Sequence, residues 1–385
     1  MISRSALTTA HRLAKGFPVV ALTGPRQSGK TTLARQAFPD KPYVSLEDPE
    51  ERDFAMTDGR AYLARFPRGA IIDEAQRCPP LFNYLQGVVD GRARMGEFVL
   101  TGSQQFGLMS GITQSLAGRV SQVQLLPLSL LELAACGLAP AELAQALWQG
   151  GYPALHVHSV APIDWFPNYV ATYIERDVRQ LLTVRDLSLF QRFLRMCAAR
   201  TGQLLNLSAL AADCGISHVT AREWITVLEA SYVVHLLRPY YRNFGKRLVK
   251  TPKLYFYDVG LAAWLLGIKD AATLANHAQR GALFETWVIG EMIKHEFNAG
   301  YSADFYFWRD NVGHEIDLLR PQGQFIQPIE IKSGSTFAGD WLDGLRHFVH
   351  VVGAEAGTPG LVYGGQASYA RGGCQVLSWR QLGSS

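Results

Sequence analysis

Gly24, Gly29, Lys30 and Thr31 stand at the spacing G-x-x-x-x-G-K-[ST], behind an apolar run Val19–Thr23 and ahead of a helical pattern. That is the context a phosphate-binding P-loop requires. The residue types follow from the chemistry. Gly24 and Gly29 let the backbone curl so that its N–H groups, with the positive end of the following helix, point at phosphate oxygens. Lys30 is placed to reach the β- and γ-phosphates, and the Thr31 hydroxyl to ligate Mg²⁺. The candidate cofactor-binding loop is therefore Gly24, Pro25, Arg26, Gln27, Ser28, Gly29, Lys30, Thr31 and Thr32, and its expected ligands are ATP and Mg²⁺.

Further along, Gly69–Gln76 reads G-A-I-I-D-E-A-Q, a short buried strand ending in two acids. Asp73 at the strand end is expected to share the Mg²⁺ with Thr31, and Glu74 to act as the base that polarises the attacking water. Downstream, E-F-V-L-T-G-S (Glu97–Ser103) is a second buried strand closing on small polar residues. Ser103, or Thr101, stands where additional-strand ATPases keep a γ-phosphate sensor; a plain strand-ending turn is the competing reading. Arg119, in S-L-A-G-R-V, is a candidate arginine finger in cis or from a neighbouring subunit, against the alternative of a solvated surface arginine.

A second constellation lies near the other end. Glu285 falls in a long helical stretch, Asp317 in the strand H-E-I-D-L-L, and Glu330 and Lys332 in I-E-I-K. Residues two apart on a strand project to one face, so Asp317, Glu330 and Lys332 can converge on one metal site. The order resembles the PD-(D/E)XK nuclease core, in which carboxylates hold Mg²⁺ and the lysine orients or activates a water. His156 and His158 lack a nearby third ligand and read as surface histidines.

The intervening elements must position these groups. Strands alternating with helices over residues 1–135 predict a doubly wound parallel sheet with nucleotide at its carboxyl ends. Residues 136–270 read as helices followed by a winged helix-turn-helix: Leu207–Cys214, a turn with Gly215, His218–Ser231, then strands Tyr232–Arg238 and Lys253–Tyr257. The loop between those strands carries Arg242, Lys246, Arg247, Lys250 and Lys253 beside Tyr240, Tyr241 and Phe244, suited to backbone-led DNA contact. Protein docking is the competing use. Residues 275–385 read as a nuclease-like α/β domain, with closing strands Gly360–Tyr363 and Gln375–Ser378 and no chemistry in the turn-like linker.

With 385 residues, two or three domains are expected, and 48% hydrophobic against 18% charged residues excludes a disordered chain. A net charge of +4 permits nucleic-acid binding without arguing for it. Five scattered cysteines fit neither a disulfide framework nor a zinc site, which points to a reducing cytoplasm. No signal peptide is read at the start, and no apolar run reaches the length of a membrane span.

The order P-loop, I-I-D-E-A-Q, L-T-G-S-Q, L-A-G-R, P-L-S-L-L-E-L (Pro127–Leu133), then G-G-Y-P (Gly150–Pro153) and Y-I-E-R-D-V (Tyr173–Val178) resembles the prokaryotic AAA-type ATP-binding proteins with a C-terminal DUF4143 region. The resemblance spans nearly the whole chain. It implies an ATPase core joined to a winged helix and a nuclease-like domain. The expected function is ATP hydrolysis coupled to DNA or partner binding; a slowly hydrolysing nucleotide-gated binder and an ATP-regulated metal-dependent nuclease are the alternatives. Expected partners are nucleotide, DNA, another protein or a second copy of the chain, and no membrane.

Overall fold

The structure, a computed structural model, describes residues 2–103, 115–174, 186–240 and 250–382. Contacts divide the chain into two compact units. The first comprises Met1–Leu128, Ala230–Tyr232 and Lys294–Ser302; the second comprises Ser129–Glu229, Val233–Ile293 and Ala303–Ser385.

The first unit is built on five strands: β1 (Val19–Thr23), β2 (Tyr43–Ser45), β3 (Ile71–Asp73), β4 (Phe98–Gly102) and β5 (Val120–Gln124). Every pairing is parallel, and the spatial order is β2-β3-β4-β1-β5. The near-continuous apolar strands demanded this, because a parallel sheet is covered on both faces. Alternate side chains of β1 feed two separate cores. Val19 and Ala21 pack with Ile72, Phe98 and Leu100, whereas Val20 and Leu22 pack with Ile71, Val99 and Val123. A fully buried leucine such as Leu22 contributes about 1.5–3 kcal/mol. Helix α1 (Ala6–Ala14) joins the second of these cores through Ala6, and α2 (Lys30–Ala37) joins it through Leu33 and Ala34. Helix α3 (Leu81–Arg92) lies on the first core through Leu81, Phe82, Leu85 and Val89. The parallel registers bring the P-loop after β1, the Asp73-Glu74 pair of β3 and the Thr101–Ser103 end of β4 to the same edge of the sheet.

The second unit contains a nine-stranded sheet of β6 (Gln203–Leu204), β7 (Val234–Pro239), β8 (Lys253–Phe256), β9 (Tyr306–Arg309), β10 (Glu315–Gln322), β11 (Phe325–Lys332), β12 (Gly360–Tyr363), β13 (Tyr369–Arg371) and β14 (Cys374–Ser378). Its order is β13-β14-β12-β11-β10-β9-β7-β8-β6. Helices α4 (Leu207–Cys214) and α5 (His218–Ala230) flank a turn in which Gly215 takes φ 71°, and β7 and β8 pair antiparallel behind them. Strand β7 also pairs with β9, at Arg238↔Tyr306, so one sheet runs across the expected domain boundary near residues 270–275. The last long helices are α6 (Arg280–Ala299) and α7 (Asp343–Val352). The linker read as turn-like contains the short edge strand β13, paired with β14.

Tyr241, Arg242, Phe244, Lys246 and Arg247 of the basic loop, with Arg176 and Asp177, lie outside the described residues. Cys78, Cys136, Cys197, Cys214 and Cys374 carry free thiols. Among the described residues, no helix is long and apolar enough to cross a membrane.

Candidate functional site

The loop between β1 and α2 has the backbone its sequence demands. Gly24 takes φ 146°, Gln27 φ 59° and Gly29 φ 94°. Gly24 is restricted twice over, since a Cβ there would also come within 2.1 Å of the Leu125 carbonyl oxygen. Lys30 is buried, and its Nζ donates to the carbonyls of Gly24 (3.0 Å) and Pro25 (2.7 Å), which fixes the ammonium inside the curl. The Ser28 hydroxyl is wholly buried and finds no hydrogen-bond partner among the described residues. A buried polar atom without a partner costs about 1–3 kcal/mol, so the loop carries a polar group suited to an incoming oxygen. Pro25 and Arg26 are buried with it; Arg26 approaches Glu47 at 4.0 Å, and Glu47 also receives Arg77 at 3.0 Å.

Thr31 Oγ1 donates to Asp73 Oδ1 at 3.0 Å. Asp73 also accepts from Tyr43 Oη at 2.8 Å, on its other oxygen, and from Thr101. Burial, then the bond to this carboxylate, pushes the Tyr43 phenol up to about 12. Three hydroxyl donors hold Asp73 in place beside the first turn of α2. Glu74 turns away in the left-handed region at φ 54°, its N–H donating to Thr101 Oγ1 at 3.3 Å. Its carboxylate accepts from Gln76 Nε2 (2.5 Å) and Ser103 Oγ (3.2 Å). Thr101 therefore serves Asp73, and Ser103 serves Glu74. The strand between β1 and β3 positions both acids.

Arg119 is placed elsewhere. Its backbone carbonyl accepts from Val19 N–H at the amino end of β1, whereas the P-loop follows the carboxyl end. Its guanidinium grips Asp90 of α3 with two bonds, at 2.5 and 2.8 Å. The structure does not bring Arg119 to the loop of its own chain. Arg4, which nothing in the motif singles out, does reach it. Its buried guanidinium donates to the Ser28 carbonyl at 2.6 Å and to the Leu126 carbonyl at 2.7 Å. Thr23, the residue before Gly24, shares a hydrogen bond with Tyr232 at 3.0 Å.

In the second unit the structure brings Asp317, Glu330 and Lys332 together. Lys332 Nζ lies 2.6 Å from Glu330 and 3.6 Å from Asp317, and Asp317 accepts from the Ile331 N–H at 2.8 Å. Glu285 of α6 joins through Lys253, whose Nζ lies 3.1 Å from it and also pairs with Glu315. Lys253 corrects the reading of the basic run: it is buried among carboxylates, not presented to a phosphate backbone. Burial, and then the Asp317 charge, raises Glu285 to about 7 and Glu330 to about 9. At Asp317 burial acts upward too, but the Lys332 and Lys253 ammoniums outweigh it and hold that carboxyl low. Crowded acids of this kind suit a cation. His156 is buried, with Nε2 at 2.9 Å from the Gly150 carbonyl, and is a packed histidine rather than a surface one.

A parallel sheet of this order, a glycine-curled phosphate loop entering a helix and an acid pair at the end of β3 define an AAA-type P-loop ATPase domain. The AAA domain family matches residues 16–134, a domain of unknown function (DUF8612) matches 140–272, and the domain of unknown function DUF4143 matches 280–382. The chain belongs to the family of AAA-type ATPase-domain proteins with a C-terminal DUF4143 region. Uncharacterized proteins of Mycobacterium tuberculosis and Mycobacterium bovis are each 33% identical to it over 344 residues, spanning 86% of this chain and 74% of theirs. Among solved structures, the Walker-type ATPase of Pyrococcus abyssi is 14% identical with a TM-score of 0.43, covering 69% of this chain and 96% of that one. The RuvB Holliday junction branch migration motor of Thermotoga maritima is 21% identical with a TM-score of 0.31, covering 60% and 86%. The AAA domain supports nucleotide binding and ATPase activity.

Proposed function

We propose that this chain is a Mg²⁺-dependent ATPase whose nucleotide state governs a DNA or protein contact made by its second unit. The observation that carries the reading is the bond between Thr31 and Asp73, which joins the phosphate loop to the acid strand. Thr31 and Asp73 would hold Mg²⁺, which when bound neutralises phosphate charge. The loop amides and Lys30 bind and orient the triphosphate. Glu74 takes a proton from the attacking water, and Ser103 and Gln76 fix its carboxylate for that task. The test is Glu74→Gln, which keeps the size and hydrogen bonding but removes the base. ATP binding should persist while turnover falls about 10²–10⁴-fold. Undiminished turnover would remove Glu74 from the role.

The downstream contact is supported by the succession of α4, α5, β7 and β8, which we read as a winged helix, and by the basic residues that follow β7 in the sequence.

A second reading is favoured by the convergence of Asp317, Glu330 and Lys332: a metal-dependent phosphodiesterase site of the PD-(D/E)XK kind, with Glu285 beside it. Lys332 would orient the attacking water there, and the carboxylates would hold Mg²⁺. Supercoiled plasmid incubated with Mg²⁺ or Mn²⁺ should be cut by the wild type and spared by Lys332→Ala. Equal cleavage by both would reject the site.

A further inference from the structure

Asp310, His314 and His347 belong to neither constellation, yet they meet in space. Asp310 follows β9 directly, and its carboxyl has no exposed surface. Its Oδ1 accepts the backbone N–H groups of Val312 (2.9 Å), Gly313 (2.9 Å) and His314 (3.0 Å). Its Oδ2 faces two imidazoles, with His314 Nδ1 at 3.0 Å and His347 Nε2 at 3.9 Å. His347 comes from α7, and Trp308 packs near its ring at 6.2 Å between centroids. One donor atom from each of the three residues lies within 4.8 Å of the others.

Two imidazoles and a carboxylate form a donor set for Zn²⁺ and its late first-row neighbours, whereas Mg²⁺ prefers oxygen alone. Metal–donor bonds of about 2.0–2.2 Å put tetrahedral donors roughly 3.3–3.6 Å apart. The separations of 3.0 and 3.9 Å bracket that range. The three amide donors to Oδ1 orient the carboxylate, as outer hydrogen bonds do around metal ligands. The two rings stack at 3.9 Å, with 19° between their planes. Near-parallel planes cannot both aim a lone pair at one ion, so binding must turn one ring. His314, on a turn and with 43% of its side chain exposed, has that freedom.

We propose that Asp310, His314 and His347 form a binding site for a divalent ion of the Zn²⁺ class, distinct from the Asp317–Glu330 carboxylates. The two constellations are close, since a Cβ on Gly344, one turn before His347, would come 2.9 Å from Glu330 Oε1. The experiment must therefore separate them. Chelator-treated full-length chain is titrated with Zn²⁺ alone by calorimetry, and with Co²⁺ while its ligand-field absorption is followed. The wild type should bind an ion at a site that survives Glu330→Gln and is weakened at least about 10-fold in both His347→Ala and His314→Ala, with loss of the histidine-type Co²⁺ spectrum. Both histidines are partly exposed, so the two variants should melt as the wild type does; two independent positions also guard against one failing to fold. The proposal is overturned if both histidine variants bind like the wild type, if only Glu330→Gln loses the ion, or if the wild type binds none. The test reads neither ATP turnover nor plasmid cleavage, so it stands apart from the functional readings above.

Discussion

Thr31 and Asp73, forty-two positions apart in the chain, are joined by a 3.0 Å hydrogen bond. A threonine at the first turn of α2 and an aspartate at the end of β3 meet here because β1 and β3 lie in the core of one parallel sheet with only β4 between them. Thr101, on that intervening strand, contacts the same carboxylate oxygen. Three strands and one helix thus agree on one point, where Thr31 and Asp73 would hold Mg²⁺.

Arg4 is expected to matter to a site it does not belong to by sequence. Its two charge-assisted bonds tie the Ser28 carbonyl of the loop to the Leu126 carbonyl just beyond β5. Arg4→Ala should lower stability by about 2–4 kcal/mol and weaken nucleotide binding several-fold, because two buried carbonyls lose their donor. Arg4→Lys should rescue only in part, since a point ammonium cannot replace the fork. Calorimetric nucleotide titration beside thermal melts checks this; unchanged affinity in Arg4→Ala would dismiss the clamp.

His235 sets a pH dependence. Burial first, then the Arg238 charge, pulls its ring down to about 4 from the ordinary value near 6.5. The folded chain therefore binds fewer protons here than the unfolded chain. The stability this confers is complete above about pH 6.5 and is lost as pH falls toward 4. The full shift corresponds to about 3 kcal/mol, and partial exposure of the ring reduces it to about 1–2 kcal/mol. Wild type should lose more melting temperature between pH 7.5 and pH 5 than His235→Gln. Equal losses would contradict the assignment.

Much of this site could be read from the residues because its signals are local. The eight positions from Gly24 to Thr31 encode a backbone curl, and the Asp73-Glu74 pair ends an apolar strand, so each is a short pattern with a mechanical cause. Ser103 was legible as a polar strand end, and the structure gives it Glu74 as partner. Arg4 was not legible, because its partners lie 24 and 122 positions away and a lone arginine in a helical lead-in carries no pattern. Lys253 misled for the opposite reason: it followed a basic run, but its place on β8 turned it inward to Glu285 and Glu315. Arg119 reads as a finger in cis or from a neighbouring subunit; strand polarity sets it at the amino end of its own sheet, against Asp90, which removes it from the loop of its own chain. The pairing of β7 with β9 was beyond reach, since neither strand's alternation names its neighbour.

The most direct test titrates steady-state ATP hydrolysis by the full-length chain with Mg²⁺, comparing wild type with Asp73→Asn. Saturable, Mg²⁺-dependent turnover is expected in the wild type. In the variant the Mg²⁺ requirement should rise at least about 10-fold, because a charged ligand has become a neutral one. Superimposable Mg²⁺ curves, or a wild type that hydrolyses no ATP at any Mg²⁺ concentration, would contradict this.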